Sequence, residues 1–250
     1  MIYNSREYAR LQKRVFFTSL IAWIVILLEP ISSSCCAPKQ FEMLLALSPA
    51  VLHAGNWGLM LIAMMAPTLV PALYHIRISS FVRRRVRSIA FFAVGYGAVW
   101  IAAGGVMLTI ALGVMWWARQ SYLPAGAVAA VALVWQASPL KQRCLNRTHG
   151  HRALAAFGAA ADWDLFRMGC EHGFWCTGSC WAVMLFSTLL PEGHFLAMVL
   201  VSALMFCERL DPPKTPSWQW RGFGTALRYL HLRVRGPQSR PVSFASNAQI

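Results

Sequence analysis

The sequence predicts an all-α protein, a polytopic transmembrane helical bundle of about six spans with both termini in the cytoplasm. Hydrophobic residues make up 57% of the 250-residue chain, and its mean hydropathy is +0.48. Charged residues make up only 13%, about half the share found in a typical soluble domain. The apolar residues form long runs, and the arginines and lysines fall between these runs and in the tails.

The first half of the chain contains four predicted spans. The first run, residues 15–28, is shorter than the about 20 residues that a span needs. We interpret it as an uncleaved anchor rather than a signal peptide, because no Ala-x-Ala cleavage site follows it. The second span, residues 51–74, contains Pro67 and Pro71, and proline kinks a membrane helix. The third and fourth spans are residues 89–117 and 123–135.

The second half is predicted to contain one cytoplasmic segment and two further spans. Residues 136–168 are polar and basic, and residues 153–166 within them are predicted to form a surface helix. The fifth span comprises residues 169–190. A Pro-Glu-Gly turn separates it from the sixth span, residues 194–207.

The distribution of basic residues orients these spans. With a cytoplasmic N-terminus and six spans, 21 of the 23 lysines and arginines lie on the cytoplasmic side, and only Lys39 and Arg119 lie outside. This asymmetry predicts a bacterial inner-membrane protein. The densest basic cluster, Arg83–Arg87, is predicted to contact anionic lipid. The chain then divides into a transmembrane helical domain, residues 1–210, and a basic cytoplasmic tail, residues 211–250, which we expect to be partly disordered.

Several function classes find no support in the sequence. The net charge of +14 could indicate nucleic acid, but the basic residues follow the spans and no DNA- or RNA-binding module is visible. The seven cysteines lie mostly in or beside the spans, unlike a secreted disulfide framework. No phosphate loop, dinucleotide fingerprint or nucleophile elbow is present, so we favour a role other than that of an enzyme. The expected partners are the lipid bilayer and another membrane protein, and not nucleic acid.

The fifth span combines three metal-ligating side chains on one helix face. His172, Cys176 and Cys180 are spaced four residues apart, and four residues turn a helix by about 400°. Imidazole and thiolate suit a soft or borderline metal, which could be Cu(I), Zn(II) or an iron–sulfur centre. The alternative is that the cysteines are inert core residues, and that Gly169 and Gly173 only allow a neighbouring helix to approach.

A complete metal site would need further ligands from another part of the chain. Cys144, in the segment between the fourth and fifth spans, is the candidate thiol. The candidate thioethers lie on the second and sixth spans: Met64, Met65, Met198 and Met205. Residue spacing alone does not choose among them.

Three blocks of sequence carry a family resemblance. They are Trp57 to Pro67 with its Met64-Met65-Ala66-Pro67 end, Trp135 to Leu145 with Cys144, and Gly169 to Met184, closing with Glu208. The chain resembles a bacterial family of predicted metal-binding integral membrane proteins, a domain of unknown function with the motif Gly-x-x-His-Gly-x-x-Cys-x-Gly-x-Cys-Trp. The resemblance implies a membrane location and a bound metal. Ser179 and Thr148 stand where the family tends to have cysteines.

Together these observations predict an integral membrane protein that binds a soft or borderline metal, with copper favoured over zinc. It would act in metal handling or in the maturation of a metalloenzyme. The proposed ligands are His172, Cys176 and Cys180, with Cys144 as an outer candidate. Two other classes remain open: a structural or assembly subunit of a membrane complex, and a membrane thiol oxidoreductase that uses Cys176 and Cys180.

Overall fold

The protein is all-α throughout the residues that the structure, a computed structural model, describes. These are residues 5–34, 49–118, 121–150, 154–155, 157–190 and 192–220, with the single residues 224 and 231. Lys39 and Arg119, the two basic residues predicted to lie outside, and most of the predicted tail fall outside the described residues. The described helices, in chain order, are α1 (Ser5–Ser34), α2 (Pro49–Met65), α3 (Val70–Ser79), α4 (Arg85–Ala118), α5 (Leu123–Ala137), α6 (Pro139–Thr148), α7 (Gly158–Leu189) and α8 (His194–Leu210).

Three described helical stretches are long and apolar enough to cross a membrane. They are Ser5–Leu28, Gly55–Ser79 and Val82–Val114. Helices α5 and α6, which meet at a 66° bend, make a fourth if they count as one span. Helix α7 carries the polar motif and α8 is only 17 residues long, so neither is among these stretches. The prediction of six spans is therefore matched in part, and the orientation of the termini stays a prediction.

The second span is interrupted by a 3-10 turn at the position where the sequence predicted a proline kink. Helix α2 ends at Met65, a 3-10 turn covers Ala66–Leu69, and α3 begins at Val70. Pro67 and Pro71 are the second residues of the turn and of α3, within the first turn of each, where the missing backbone N–H costs no helical hydrogen bond. The regular α-helical geometry is therefore interrupted directly after Met65.

The segment predicted to be a cytoplasmic loop is largely helical. Ser138 caps α6 by accepting a hydrogen bond from the backbone N–H of Lys141 at 3.2 Å. Helix α7 begins at Gly158, so the predicted surface helix and the fifth span are one continuous helix of 32 residues, about 48 Å long. The expectation of two separate elements was wrong, because packing against α4 supports a helix across glycines that have weak helix propensity of their own.

Small residues allow α4 and α7 to approach very closely. A Cβ atom added to Gly95 on α4 would lie 2.2 Å from the carbonyl oxygen of Phe166 on α7. One added to Gly169 would lie 2.2 Å from the carbonyl oxygen of Phe92, and one added to Gly173 would lie 3.1 Å from Val99 Cβ. The glycines of the fifth-span motif thus have a packing role, as their spacing predicted.

Two arginines of the basic cluster join α4 and the turn before it to the start of α7. Arg84 and Arg87 each contact a carboxylate oxygen of Asp162 at 2.6 Å. The carboxylate is almost fully buried, whereas Arg87 is mostly exposed. The sequence interpretation assigned this cluster to lipid contact alone and missed its link to Asp162.

Candidate metal centre

Cys176 and Cys180 lie side by side in the core of the bundle, on one face of α7. Their side chains are 1% and 2% exposed. The Sγ atom of Cys180 lies 3.1 Å from the carbonyl oxygen of Cys176. The shared face follows from their spacing of four residues on a continuous helix, as the sequence predicted.

Three other helical segments reach Cys176 Sγ. Met65 Sδ, at the end of α2, lies 4.0 Å away. The hydroxyl group of Tyr96 on α4 lies 3.4 Å away. Arg209 Nη2, in the last turn of α8, lies 3.2 Å away. The sulfur atom of Cys176 is therefore the point where α2, α4, α7 and α8 converge.

The core around the two cysteines is rich in methionine. Seven of the eleven methionines in the chain belong to the same buried cluster as Cys176 and Cys180. They are Met60, Met64, Met65, Met107, Met184, Met198 and Met205. Methionine often serves as plain apolar packing, but thioether sulfur is also a soft ligand that suits Cu(I). The contact between Met65 Sδ and Cys176 Sγ selects Met65 among the thioether candidates.

His172 lies one helical turn before Cys176 and is buried among aromatic side chains. Its ring centroid is 5.9 Å from that of Phe92 and 6.0 Å from that of Tyr96. Tyr96 thus contacts both His172 and the thiol of Cys176. Among the described residues, no group of three or more His, Cys, Asp or Glu side chains is arranged to hold a metal ion. The assignment of His172 as a ligand therefore stays a prediction.

Cys144 is on α6 and packs against α7. The face of α7 that it contacts differs from the face that carries Cys176 and Cys180. Its Sγ atom is 3.0 Å from the position that a Cβ atom on Gly178 would occupy. Gly178 is two residues from both Cys176 and Cys180, and two residues turn a helix by about 200°. Cys144 therefore packs beside Gly178, and its assignment as an outer ligand stays a prediction.

A buried ion pair lies between α6 and the end of α8. Lys141 Nζ and Glu208 Oε1 are 2.6 Å apart, and both side chains are 2% exposed. The side-chain amide of Gln136 donates a hydrogen bond to the same carboxylate oxygen. The sequence interpretation missed this pair because it placed Lys141 in a cytoplasmic loop, although the third block of the family resemblance closed with Glu208.

Arg209 is also a site residue that the sequence interpretation missed. It follows the last apolar run, where a basic residue is expected at the end of a span. Only the fold shows that its side chain turns back to Cys176. The one available signal was its position directly after Glu208.

Comparison with known proteins identifies one related family. The family model PpoB2, described as a copper chaperone, matches residues 54–232, which is more than two thirds of the chain. The match includes the α4–α7 pair, both buried cysteines, Met65 and Arg209. No curated protein and no solved structure matches the chain.

Proposed function

Since the chain belongs to the PpoB2 copper chaperone family, we propose that it carries Cu(I) within a membrane-embedded helical bundle and passes it to a copper-requiring protein. The single observation that carries the proposal is that Cys176 and Cys180 are both buried on one helix face inside a methionine-rich core, with Met65 Sδ 4.0 Å from Cys176 Sγ. Thiolate and thioether are soft ligands, and soft ligands favour Cu(I). In this role copper is cargo that enters and leaves.

The outer surface of the bundle supports a location in the membrane. Large apolar side chains face outward along α1 and α4, among them Phe17, Leu20, Val94 and Ile101, which are 62%, 56%, 61% and 67% exposed. Exposed apolar surface of this extent is unfavourable in water and favourable against lipid. We place the protein in the bacterial inner membrane, as the positions of the basic residues predict.

The arrangement of the ligands suits a carrier. The two thiolates come from one helix and the thioether comes from another, so the proposed set is small. A Cu(I) ion held by few soft ligands can be taken over by the thiols of an acceptor through ligand exchange. A buried, largely apolar centre also keeps the ion away from water during transfer.

Titration of the detergent-purified, reduced protein with Cu(I) tests this function. With a competing Cu(I) chelator present, we expect about one Cu(I) per chain to survive desalting, because one cysteine pair with Met65 forms one soft site. The retained Cu(I) should move to a thiol-containing acceptor peptide.

Absence of retained Cu(I) would contradict the proposal. Thiol trapping in cells distinguishes a copper carrier from a thiol oxidoreductase. A Cys176–Cys180 disulfide that forms and breaks reversibly in cells would instead favour a thiol oxidoreductase, since the Cα atoms of residues i and i+4 on a helix lie within the disulfide range.

A further inference from the structure

Arg209 is the charged side chain that touches the proposed copper ligands. Its Nη2 atom donates a hydrogen bond to Cys176 Sγ over 3.2 Å. A guanidinium group is not deprotonated in proteins, so a permanent positive charge lies beside the thiol. Within the described ranges, the ion pairs involve other residues and none includes Arg209.

The other buried charges near the centre compensate each other. Lys141 and Glu208 form an ion pair at 2.6 Å, and both are shielded from solvent. Because their charges cancel, they leave the net charge of the centre unchanged. That charge is therefore set by Arg209, the two cysteines and the metal ion.

The charge of the loaded centre depends on the valence of the metal. When Cu(I) binds, both thiols release their protons to solvent. Two thiolates with Cu(I) carry a single negative charge, which Arg209 neutralises, and the thioether of Met65 contributes no charge. A divalent ion such as Zn(II) forms a neutral unit with the same two thiolates. Arg209, which is partly buried at the edge of the core, then remains as an uncompensated charge, which is unfavourable.

We infer that Arg209 determines metal specificity by making this centre select monovalent soft ions over divalent ones. The inference rests on the proposed function and adds the reason for its selectivity. The contact is compatible with a bound metal, because a coordinated thiolate keeps lone pairs that can accept from an N–H donor. The hydroxyl group of Tyr96, 3.4 Å from the same sulfur, can be a second donor.

The fold holds Arg209 in this position through its neighbour. Glu208 is fixed by Lys141 and by the amide of Gln136, and this anchors the last turn of α8. His149 Nε2 lies 3.4 Å from the carbonyl oxygen of Arg209 itself. The backbone of Arg209 is therefore held against α6 and the residue that follows it. From this position the guanidinium group of Arg209 reaches Cys176.

Replacement of Arg209 by glutamine tests the inference, because it removes the charge and keeps a polar side chain. Removal of an outer partner of a metal ligand lowers metal affinity roughly 10- to 100-fold. We expect Arg209→Gln to lose Cu(I) affinity within that range and to gain Zn(II) affinity, since the neutral zinc unit no longer meets an unpaired charge. Arg209→Lys should keep the preference of the wild type. Arg167→Gln is the matched control, because Arg167 is exposed and pairs with Glu171.

The outcome that would overturn the inference is an equal loss of Cu(I) and Zn(II) affinity in Arg209→Gln, or no change in either. A second measurement uses only the wild-type protein and does not depend on a folded variant. Ag(I) and Cd(II) are both soft and differ in charge, so the wild type should retain Ag(I) and release Cd(II); equal retention would overturn the inference. If the wild type binds Cu(I) but lacks this discrimination, the proposed function stands and the role of Arg209 falls. If it binds neither Cu(I) nor Ag(I), both fall.

Discussion

Replacement of Cys176 by serine is expected to abolish Cu(I) binding while the protein stays folded. Serine has nearly the same size as cysteine, so the packing around this fully buried position changes little. Its hydroxyl is a poor ligand for a soft ion, and Met65 Sδ loses the sulfur atom that lies 4.0 Å from it. The loss should exceed the roughly 100-fold that removal of an outer partner causes. Cu(I) affinity measured by chelator competition gives the result.

Two further variants and one control complete this experiment. Cys180→Ser should give a similar loss, and Met65→Leu a smaller one, because a thioether contributes without charge. Cys170→Ser is the matched control: Cys170 is a partly buried free cysteine on the same helix. It lies on a different helix face from Cys176, since six residues turn a helix by about 600°. Full Cu(I) binding in Cys176→Ser would show that the cysteine pair does not bind the copper ion.

Glu208→Gln is expected to destabilise the folded protein by about 3–5 kcal/mol, because it leaves Lys141 charged and unpaired in the interior. The present pair is held at 2.6 Å with both side chains shielded from solvent. The same change frees the end of α8, so Cu(I) selectivity should weaken together with stability. Denaturant unfolding in detergent, followed by tryptophan fluorescence, measures the loss.

Removal of both charges shows how much of the lost stability comes from leaving Lys141 unpaired and how much comes from losing the ion pair itself. The double variant Lys141→Met with Glu208→Leu should recover most of the lost stability, since a buried ion pair can often be replaced by apolar residues at little cost. Some loss should remain because Gln136 no longer has its acceptor. Glu171→Gln, which breaks the exposed Arg167–Glu171 pair, should change stability by less than about 1 kcal/mol. A Glu208→Gln variant as stable as the wild type would show that Lys141 finds another partner.

The sequence was sufficient to predict the features that depend on the spacing of residues along a helix. The apolar runs predicted the helices, Pro67 and Pro71 predicted the break after Met65, and the spacing of Cys176 and Cys180 placed both thiols on one face. Each of these depends on neighbours along the chain. The glycines were also informative, because only close packing requires so small a residue at Gly169.

The missed features are contacts between residues far apart in the sequence. Arg209 reaches Cys176 across 33 positions, and Lys141 reaches Glu208 across 67. A basic residue at the end of an apolar run predicts an interfacial position, and no local pattern indicates that it turns inward. Met65 was one of four equivalent thioether candidates until the fold placed its sulfur at Cys176.

X-ray absorption spectroscopy at the copper edge of the Cu(I)-loaded protein identifies the atoms that bind the ion. We expect Cu(I) in a low-coordinate site whose nearest neighbours are sulfur atoms, contributed by Cys176, Cys180 and Met65. The sulfur contribution should disappear in Cys176→Ser and remain in Cys170→Ser. A first shell made of nitrogen and oxygen atoms, or an unchanged sulfur shell in Cys176→Ser, would contradict the assignment of this buried centre as the copper site.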